Sequence, residues 1–329
     1  MKLRAALTTT LVAISFLVSP SSSAVTNICI AYDTGGLGDR SYNDATLAGV
    51  KLAQNQHTFT FEGVVTDGSA ADREKRLRTL TSKSCATIIA VGSDYAKTID
   101  RLALEFPNAH FAIIGDASIA ALNVTSVTFA EVEGAFLAGY SAAISSKTRK
   151  IAMITTPSKA DLYQNGFLAG VAASKKKVNS FVKFTATDTS QSAKAMIALG
   201  IDVIYAATSG AADGAFDAIV KANTAKNRKK GAVDANLIIT EPDLYLSVTP
   251  LTSKYLLASV VKRVDIAVAD VIGKAVNDSQ LTEVLDAKAG IYGQRYTIAN
   301  KGIEIVIKSK VLAAQSAAIN AAASAAYAR

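Results

Sequence analysis

The chain has 329 residues, half of them hydrophobic, and its formal net charge is +8 at pH 7. This length allows two domains with sizeable cores, and the charge is modest for such a size. The basic triplets 175–177 and 228–230 follow predicted helices and are not interleaved with aromatic residues, so we expect no nucleic-acid partner. Two cysteines, with His57 and His110, are too few for a zinc site, and we expect neither metal nor cofactor.

The first 24 residues are typical of a secretory signal peptide. Lys2 and Arg4 precede an apolar run over 5–18, and a serine-rich segment then ends at Ala24. A transmembrane anchor is the alternative, but the run is shorter than the roughly 20 residues that span a bilayer. No lipobox cysteine follows it, so we expect an extracytoplasmic protein, secreted or periplasmic, without a lipid anchor.

A glycine-rich, acidic turn follows the first predicted strand. That strand ends at Asp33, and three glycines in the next five residues allow the backbone to bend. Ser41, with Asp44 three residues later, forms a pattern that predicts a helix N-cap. Because open α/β sheets bind ligands at the carboxyl ends of their parallel strands, we expect Asp33, Tyr42 and Asn43 to face a ligand.

The order of strand, turn and helix then recurs along the chain. Further strands are predicted near 59–65, 86–91, 110–114, 126–129, 151–155, 181–185, 203–206, 237–240 and 291–298. This alternation predicts an α/β fold of two doubly wound parallel-sheet lobes joined by a hinge. The predicted domains are the signal peptide 1–24, an N-terminal lobe of 25–129 plus 255–284, and a C-terminal lobe of 130–254 plus 285–329.

Polar residues recur where predicted strands end. They are Asp33, Asp94 and Asp116 in the first lobe and Thr208 and Glu241 in the second. Each alone suits a helix cap, but two facing lobes would bring all of them to one cleft. With Tyr42 and Tyr205 the cleft suits a neutral, flat, hydroxyl-bearing ligand, because carboxylates accept from OH and NH groups and aromatic rings stack on planar ones.

The two cysteines stand at the start of two apolar strands. Cys29 opens the first strand and Cys85 directly precedes the strand near 86–91. If those strands are neighbours in a parallel sheet, both sulfur atoms lie at the same end, which favours a disulfide in an exported protein. Two buried thiols are the alternative.

These residues suggest three catalytic interpretations. The turn GLGDRS at 36–41 lacks the third glycine of a dinucleotide-binding motif, and Asp39 would repel a pyrophosphate. No G-x-S-x-G motif is present for a serine nucleophile. Hydrolysis by a pair of carboxylates, Asp33 and Asp116, stays open.

The segment YDTGGLGDRSYNDATLAG resembles the basic membrane protein (BMP) family, exported substrate-binding proteins of ABC transporters that include purine nucleoside receptors. Further matches are IIGDAS at 113–118, EVEGAFLAGYSAA at 131–143, LYQNGFLAG at 162–170, VIYAATSGAADG at 203–214 and ASVVKRVDIA at 258–267. The resemblance covers essentially the whole mature chain. It implies the type I periplasmic-binding-protein fold.

The resemblance also implies roles for individual residues. A purine would lie between Tyr42 and Tyr205, and its edge would be read by Asp33, Asn43 and Asp116. Glu241 and Lys262 would hold the ribose hydroxyls, and Gly210 completes the implied ligand-binding set. The family usually has phenylalanine at both ring positions and aspartate in place of Glu241, which would shift ligand preference in this chain.

These features predict an extracytoplasmic solute-binding protein rather than an enzyme. It would bind a nucleoside, of the purine class, and deliver it as a monomer to an ABC transporter permease. Three alternatives remain: a sugar- or polyol-binding protein of the same fold, a secreted nucleoside-cleaving hydrolase, and a structural or host-interacting surface protein.

Overall fold

The structure, a computed structural model, describes residues 25–157, 160–185, 188–208, 212–240, 248–307 and 309–327. The predicted signal peptide, Gly210 and Glu241 lie outside these ranges. Within them, none of the helices has the length and apolar character needed to cross a membrane.

The strands in chain order are β1 (Asn27–Tyr32), β2 (Thr60–Val65), β3 (Thr87–Val91), β4 (Phe111–Ile114), β5 (Val124–Phe129), β6 (Lys150–Thr155), β7 (Asn179–Phe184), β8 (Val203–Ala207), β9 (Asn236–Thr240), β10 (Leu256–Lys262), β11 (Glu283–Asp286), β12 (Ile291–Tyr296) and β13 (Ile303–Ile307). The helices are α1 (Tyr42–Gln54), α2 (Ala70–Thr81), α3 (Ala96–Glu105), α4 (Glu131–Ser145), α5 (Ala160–Ala173), α6 (Thr189–Ala198), α7 (Ala212–Thr224), α8 (Val264–Val276), α9 (Lys310–Ala313) and α10 (Ser316–Tyr327).

These strands form two sheets, one in each lobe. The first has the order β11-β12-β5-β4-β3-β1-β2 and the second β13-β10-β9-β8-β6-β7. All neighbouring strands are parallel except at one edge of each sheet, where β11 and β13 are antiparallel. The central strands β1, β3 and β8 are buried on both faces, as expected for apolar strands covered by helices. The predicted fold of two doubly wound α/β lobes is confirmed.

The second lobe depends on an unusually close pair of helices, α4 and α5. A side-chain carbon added at Gly139 of α4 would overlap the backbone of Phe167 in α5, and one at Gly170 would overlap the backbone of Phe136. Only glycine permits this approach. The two motifs EVEGAFLAG and LYQNGFLAG therefore encode a helix contact. Leu312, Ile319 and Ala323 of the last two helices are completely buried in the same core.

The chain crosses between the lobes three times, and the crossings are hydrogen-bonded to each other. The first follows β5, where the amide of Ala130 donates to the carbonyl of Tyr296 at 2.8 Å. The second follows β10, where the amide of Arg263 donates to the carbonyl of Gly302 at 2.9 Å. The third crossing, between β12 and β13, thus contacts both of the others.

The predicted lobe boundaries differ from those observed in the last third of the chain. Residues 255–284 were assigned to the first lobe, but β10 lies in the second sheet beside β9, and the chain returns to the first lobe with α8, which packs against α1. Residues 285–329 were assigned to the second lobe, but β12 pairs with β5 of the first sheet. Local periodicity identifies a strand, while the sheet that receives it is decided by long-range pairing.

A disulfide joins Cys29 and Cys85. Their Cα atoms are 5.8 Å apart, and they lie at the amino ends of the neighbouring strands β1 and β3. Both sulfur atoms are therefore at the edge of the sheet opposite to its carboxyl ends.

Candidate functional site

A cavity of about 290 Å³ opens at the carboxyl ends of β1, β3 and β4. It is lined by Asp33, Thr34, Asp39, Ser41, Tyr42, Asn43, Val91, Gly92, Ser93, Asp94, Ile114 and Gly115. This is the edge at which open α/β sheets bind ligands. The structure thus brings three of the predicted site residues, Asp33, Tyr42 and Asn43, to one place on the first lobe.

The turn before α1 is held by Asp39 rather than by Ser41. The carboxylate of Asp39 accepts hydrogen bonds from the amides of Ser41, Asn43 and Asp44 at 2.8, 3.0 and 3.1 Å. Asp44 in turn accepts from the amide of Gly38 at 2.7 Å. Ser41 is the N-cap residue of α1, as predicted, but its side chain makes no capping hydrogen bond. An aspartate two residues earlier satisfies the same amides.

Asn43 is a structural residue of this turn. Its side chain is buried; its Oδ1 accepts from the amide of Asp33 at 3.0 Å, and its Nδ2 donates to the carbonyl of Gly36 at 3.1 Å. Both polar atoms are therefore engaged with the backbone. The resemblance implied that Asn43 reads the edge of the ligand; the structure assigns its amide to the loop instead.

Asp33 shares a guanidinium with Asp94. The Nη2 of Arg73, on α2, lies 3.0 Å from an oxygen of each carboxylate. Sequence reasoning missed Arg73, because an arginine in a charged helix is indistinguishable from a surface residue in the sequence. One indication of its location is present in the sequence: Arg73 directly follows the S-x-x-D capping pattern of residues 69–72, which places it in the first turn of α2.

Tyr42 is the aromatic residue of the cavity, and it contacts the second lobe. Its hydroxyl accepts from Nζ of Lys262 at 3.1 Å, and the same ammonium lies 5.6 Å from the centre of its ring. Lys262 ends β10 of the second sheet and also pairs with Glu131 at 2.6 Å. The structure therefore brings Lys262 to the site, as the resemblance implied, together with Glu131, which sequence reasoning did not identify.

Tyr205 lies in the core of the second lobe and not in the cavity. Its side chain is 0% exposed, its ring stacks on Phe167 with a centroid distance of 5.8 Å, and its hydroxyl is hydrogen-bonded to Thr240. With both faces covered, this ring has no face for a ligand. The predicted sandwich between Tyr42 and Tyr205 is absent from this structure, in which Tyr205 is a core residue of β8.

Two further strand ends carry polar groups. Asp116 follows β4 next to Gly115 of the cavity wall, and its Oδ1 accepts from the amide and hydroxyl of Ser118 at 2.8 and 2.6 Å. Thr208 follows β8 and is buried, and its hydroxyl has no hydrogen-bond partner among the described residues. The second carboxylate oxygen of Asp116 can therefore accept a hydrogen bond from a ligand, and the hydroxyl of Thr208 can donate one.

The described residues contain no set of side chains that could bind a metal ion as they stand. The one group of potential ligands there is Cys29, Glu62 and Cys85, and its two sulfur atoms are bonded to each other. The cavity instead offers carboxylate acceptors, one aromatic ring and an adjacent ammonium. These groups suit binding of a flat ligand that donates hydrogen bonds.

A model of the Bmp family, described as ABC transporter substrate-binding protein PnrA-like, matches residues 27–321. The chain belongs to this family. Among Bmp relatives, the CD4+ T-cell-stimulating antigen of Listeria monocytogenes is 28% identical over 77% of this chain and 74% of its own length. The ABC transporter nucleoside-binding protein BmpA of Lactococcus lactis is 25% identical over 74% of this chain and 73% of its own.

Solved structures share the fold of this Bmp protein. An ABC transporter solute-binding protein from Aeropyrum pernix has a TM-score of 0.66 at 20% identity, covering 92% of this chain and 85% of its own. A structure titled as a transcriptional activator of the comK gene from Bacillus halodurans has a TM-score of 0.68 at 18% identity, covering 91% and 97%. At these identities the likeness establishes the two-lobed fold alone.

Proposed function

We propose that this Bmp protein is an extracytoplasmic receptor that binds a purine nucleoside between its lobes and delivers it, as a monomer and without chemical change, to an ABC importer permease. The family membership supports the substrate-binding role. The printed name of the Lactococcus lactis relative, a nucleoside-binding protein, supports the ligand class.

The observation that carries the proposal is the pairing of a ring with carboxylates in one cavity. Tyr42 supplies an aromatic face, and Asp33 supplies a carboxylate with one oxygen left after its pairing with Arg73. A nucleoside base is planar and carries N–H donors at its edge, so it can stack on the ring while it donates to the carboxylate. The volume of about 290 Å³ is near the lower end for small-molecule sites, as expected when a second lobe completes the site.

The remaining contacts in the proposal come from the resemblance. Asp116 would accept from the base through its free oxygen, and Lys262 would donate to the ribose hydroxyls. Glu241 and Gly210 would complete the second-lobe side. Tyr205 has no place in this set, since its ring is enclosed by the core.

The test is a thermal-shift and calorimetry screen against nucleosides, free bases and simple sugars, with the ligand checked afterwards for chemical change. A ligand that binds only the native state raises the apparent stability by RT ln(1 + [L]/Kd), so micromolar binding is visible at millimolar ligand. We expect unmodified purine nucleosides to stabilise the protein. Stabilisation by sugars alone would identify a sugar or polyol receptor, and cleavage of the nucleoside would identify a hydrolase.

Two variants locate the binding site. Tyr42→Ala should weaken nucleoside binding through lost stacking, and Asp116→Ala should abolish it while the fold is retained. Tyr292→Ala, a change in β12 away from the cavity lining, is the matched control. Undiminished affinity in both site variants would exclude this site.

A further inference from the structure

Asp33 and Asp94 form a pair of carboxylates at the ends of adjacent strands. Asp33 follows β1, Asp94 follows β3, and one oxygen of each lies 3.0 Å from the same nitrogen of Arg73. The two carboxylates are therefore within two hydrogen-bond lengths of each other. Both line the cavity.

Arg73 is fixed in place behind the pair. Its side chain is 8% exposed, its Nη1 donates to the carbonyl of Gly68 at 2.6 Å, and its guanidinium lies 5.5 Å from the ring centre of Tyr95. The hydroxyl of Tyr95 donates to the carbonyl of Tyr32 at 2.8 Å. Burial raises the pKa of Tyr95, so this phenol stays a neutral donor. These contacts to Gly68 and Tyr95 hold the guanidinium in place, and it orients both carboxylates.

Each carboxylate keeps one oxygen that Arg73 does not contact. The Oδ2 of Asp33 lies beside Gly92, where an added side-chain carbon would be 3.2 Å away, so the glycine leaves this oxygen accessible. The side chain of Asp94 is 67% exposed. An ion-paired carboxylate accepts hydrogen bonds and donates none. The amide of Asn43, which could have donated to a ligand, is engaged by the loop.

We propose that Asp94 is a second ligand-binding carboxylate beside Asp33, that Arg73 positions both, and that the pair selects a purine with adjacent N–H donors on its edge. This inference rests on the proposed nucleoside binding and adds the base preference. Guanine presents N1–H and an exocyclic amino group side by side, and hypoxanthine presents N1–H. Adenine presents the N1 lone pair next to its amino group, and that lone pair would face a carboxylate oxygen.

Calorimetric titrations with guanosine, inosine, adenosine and 1-methylguanosine test the preference. A carboxylate oxygen repels the N1 lone pair of adenine and accepts from the N1–H of guanine, so we expect guanosine to bind at least about tenfold tighter than adenosine. Methylation of N1 should cost guanosine about tenfold in affinity, with inosine intermediate. Equal or tighter binding of adenosine, or an unaffected 1-methylguanosine, would overturn the proposal while nucleoside binding itself stands. A protein that binds no nucleoside would overturn both.

Variants separate contact from positioning. Asp94→Asn introduces an amide that donates to N1 of adenine, so the guanosine-to-adenosine ratio should fall about tenfold. Asp100→Asn, an exposed aspartate of α3, is the matched control and should leave the ratio unchanged. Arg73→Gln should lower the ratio and Arg73→Lys should restore part of it, which a purely structural role would not do. Because Asp94 is exposed, its variant should fold even if Arg73→Gln does not; an unchanged ratio in folded Asp94→Asn would overturn the proposal.

Discussion

Glu131 and Lys262 form an ion pair between two of the three lobe crossings. The Oε1 of Glu131 and the Nζ of Lys262 are 2.6 Å apart, and the side chains are 12% and 5% exposed. Glu131 is the first residue of α4, which follows the first crossing. Lys262 is the last residue of β10, which precedes the second crossing. Since Lys262 also donates to Tyr42, this pair connects the hinge to the cavity.

Removing the carboxylate of this pair should destabilise the protein. Glu131→Gln removes the carboxylate that lies 2.6 Å from a buried ammonium, and we expect the free energy of unfolding to fall by about 3 kcal/mol. Urea denaturation measures this. Adding Lys262→Met should recover much of the loss, since both charges of the pair are then removed; a double-mutant cycle gives the coupling. A single variant as stable as the wild type would contradict the prediction.

Tyr205 should matter for stability rather than for the ligand. Tyr205→Ala removes a completely buried ring that stacks on Phe167, and we expect a loss of about 3–5 kcal/mol in unfolding free energy. Tyr205→Phe removes only the hydroxyl that pairs with Thr240 and should cost about 1 kcal/mol. Tyr205→Leu removes the aromatic ring and keeps an apolar side chain, and the nucleoside affinity of the folded variant should equal that of the wild type. A large loss of affinity in that variant would restore a ligand-binding role.

The Cys29–Cys85 disulfide closes a loop across 56 residues and should stabilise the first lobe. Replacing both residues with serine should lower the unfolding free energy by about 2–4 kcal/mol. Denaturation with and without reductant checks this, because the reductant should act on the wild type and leave the double variant unaffected. The cavity is at the opposite end of the strands, so ligand affinity should not change.

Glu133 should give the protein a pH-dependent stability term. Burial raises the pKa of its carboxyl above the usual 4.5, although the amide of Ile298 donates to it at 2.7 Å. The native state then holds a proton that the unfolded state releases near pH 4.5. Glu133 therefore makes its whole contribution to the free energy of unfolding below pH 4.5, and this contribution is lost as the pH rises through the pKa of the folded state.

Comparing the wild type with Glu133→Gln isolates this term. The stability difference between the two proteins should shift in favour of the variant as pH rises from 4.5 to 7 in urea denaturation. A constant difference across that range would show that Glu133 titrates alike in both states.

Strand positions and strand-end chemistry follow from local patterns, and these were predictable. The capping pattern at Ser69 is confirmed, because its hydroxyl accepts from the amide of Asp72 at 3.1 Å. The same pattern at Ser41 locates the N-cap residue of α1, but the amides of Asn43 and Asp44 donate to Asp39 instead of to the serine hydroxyl. A local motif predicts that amides need a partner, and only the backbone conformation decides which side chain supplies it.

The parts of the site that sequence reasoning missed depend on distant pairings. Arg73 meets Asp33 across 40 positions, and Glu131 meets Lys262 across 131. Tyr205 lies within the apolar strand β8 and Tyr42 begins α1 after a polar turn; α5 encloses the first ring, and the second opens to a cavity. Which helix packs on a strand is a tertiary property, so the burial of Tyr205 could not be read from the chain.

The exchange of late strands between the lobes sets the order in which this protein can be completed during synthesis. The second sheet receives β10 and β13, and the first receives β12 only from Ile291–Tyr296. A chain emerging from the ribosome therefore lacks an interior strand of its first sheet until nearly nine-tenths of it has been made. Neither sheet can be completed early, so the nascent chain remains incompletely folded while most of its length is being translated.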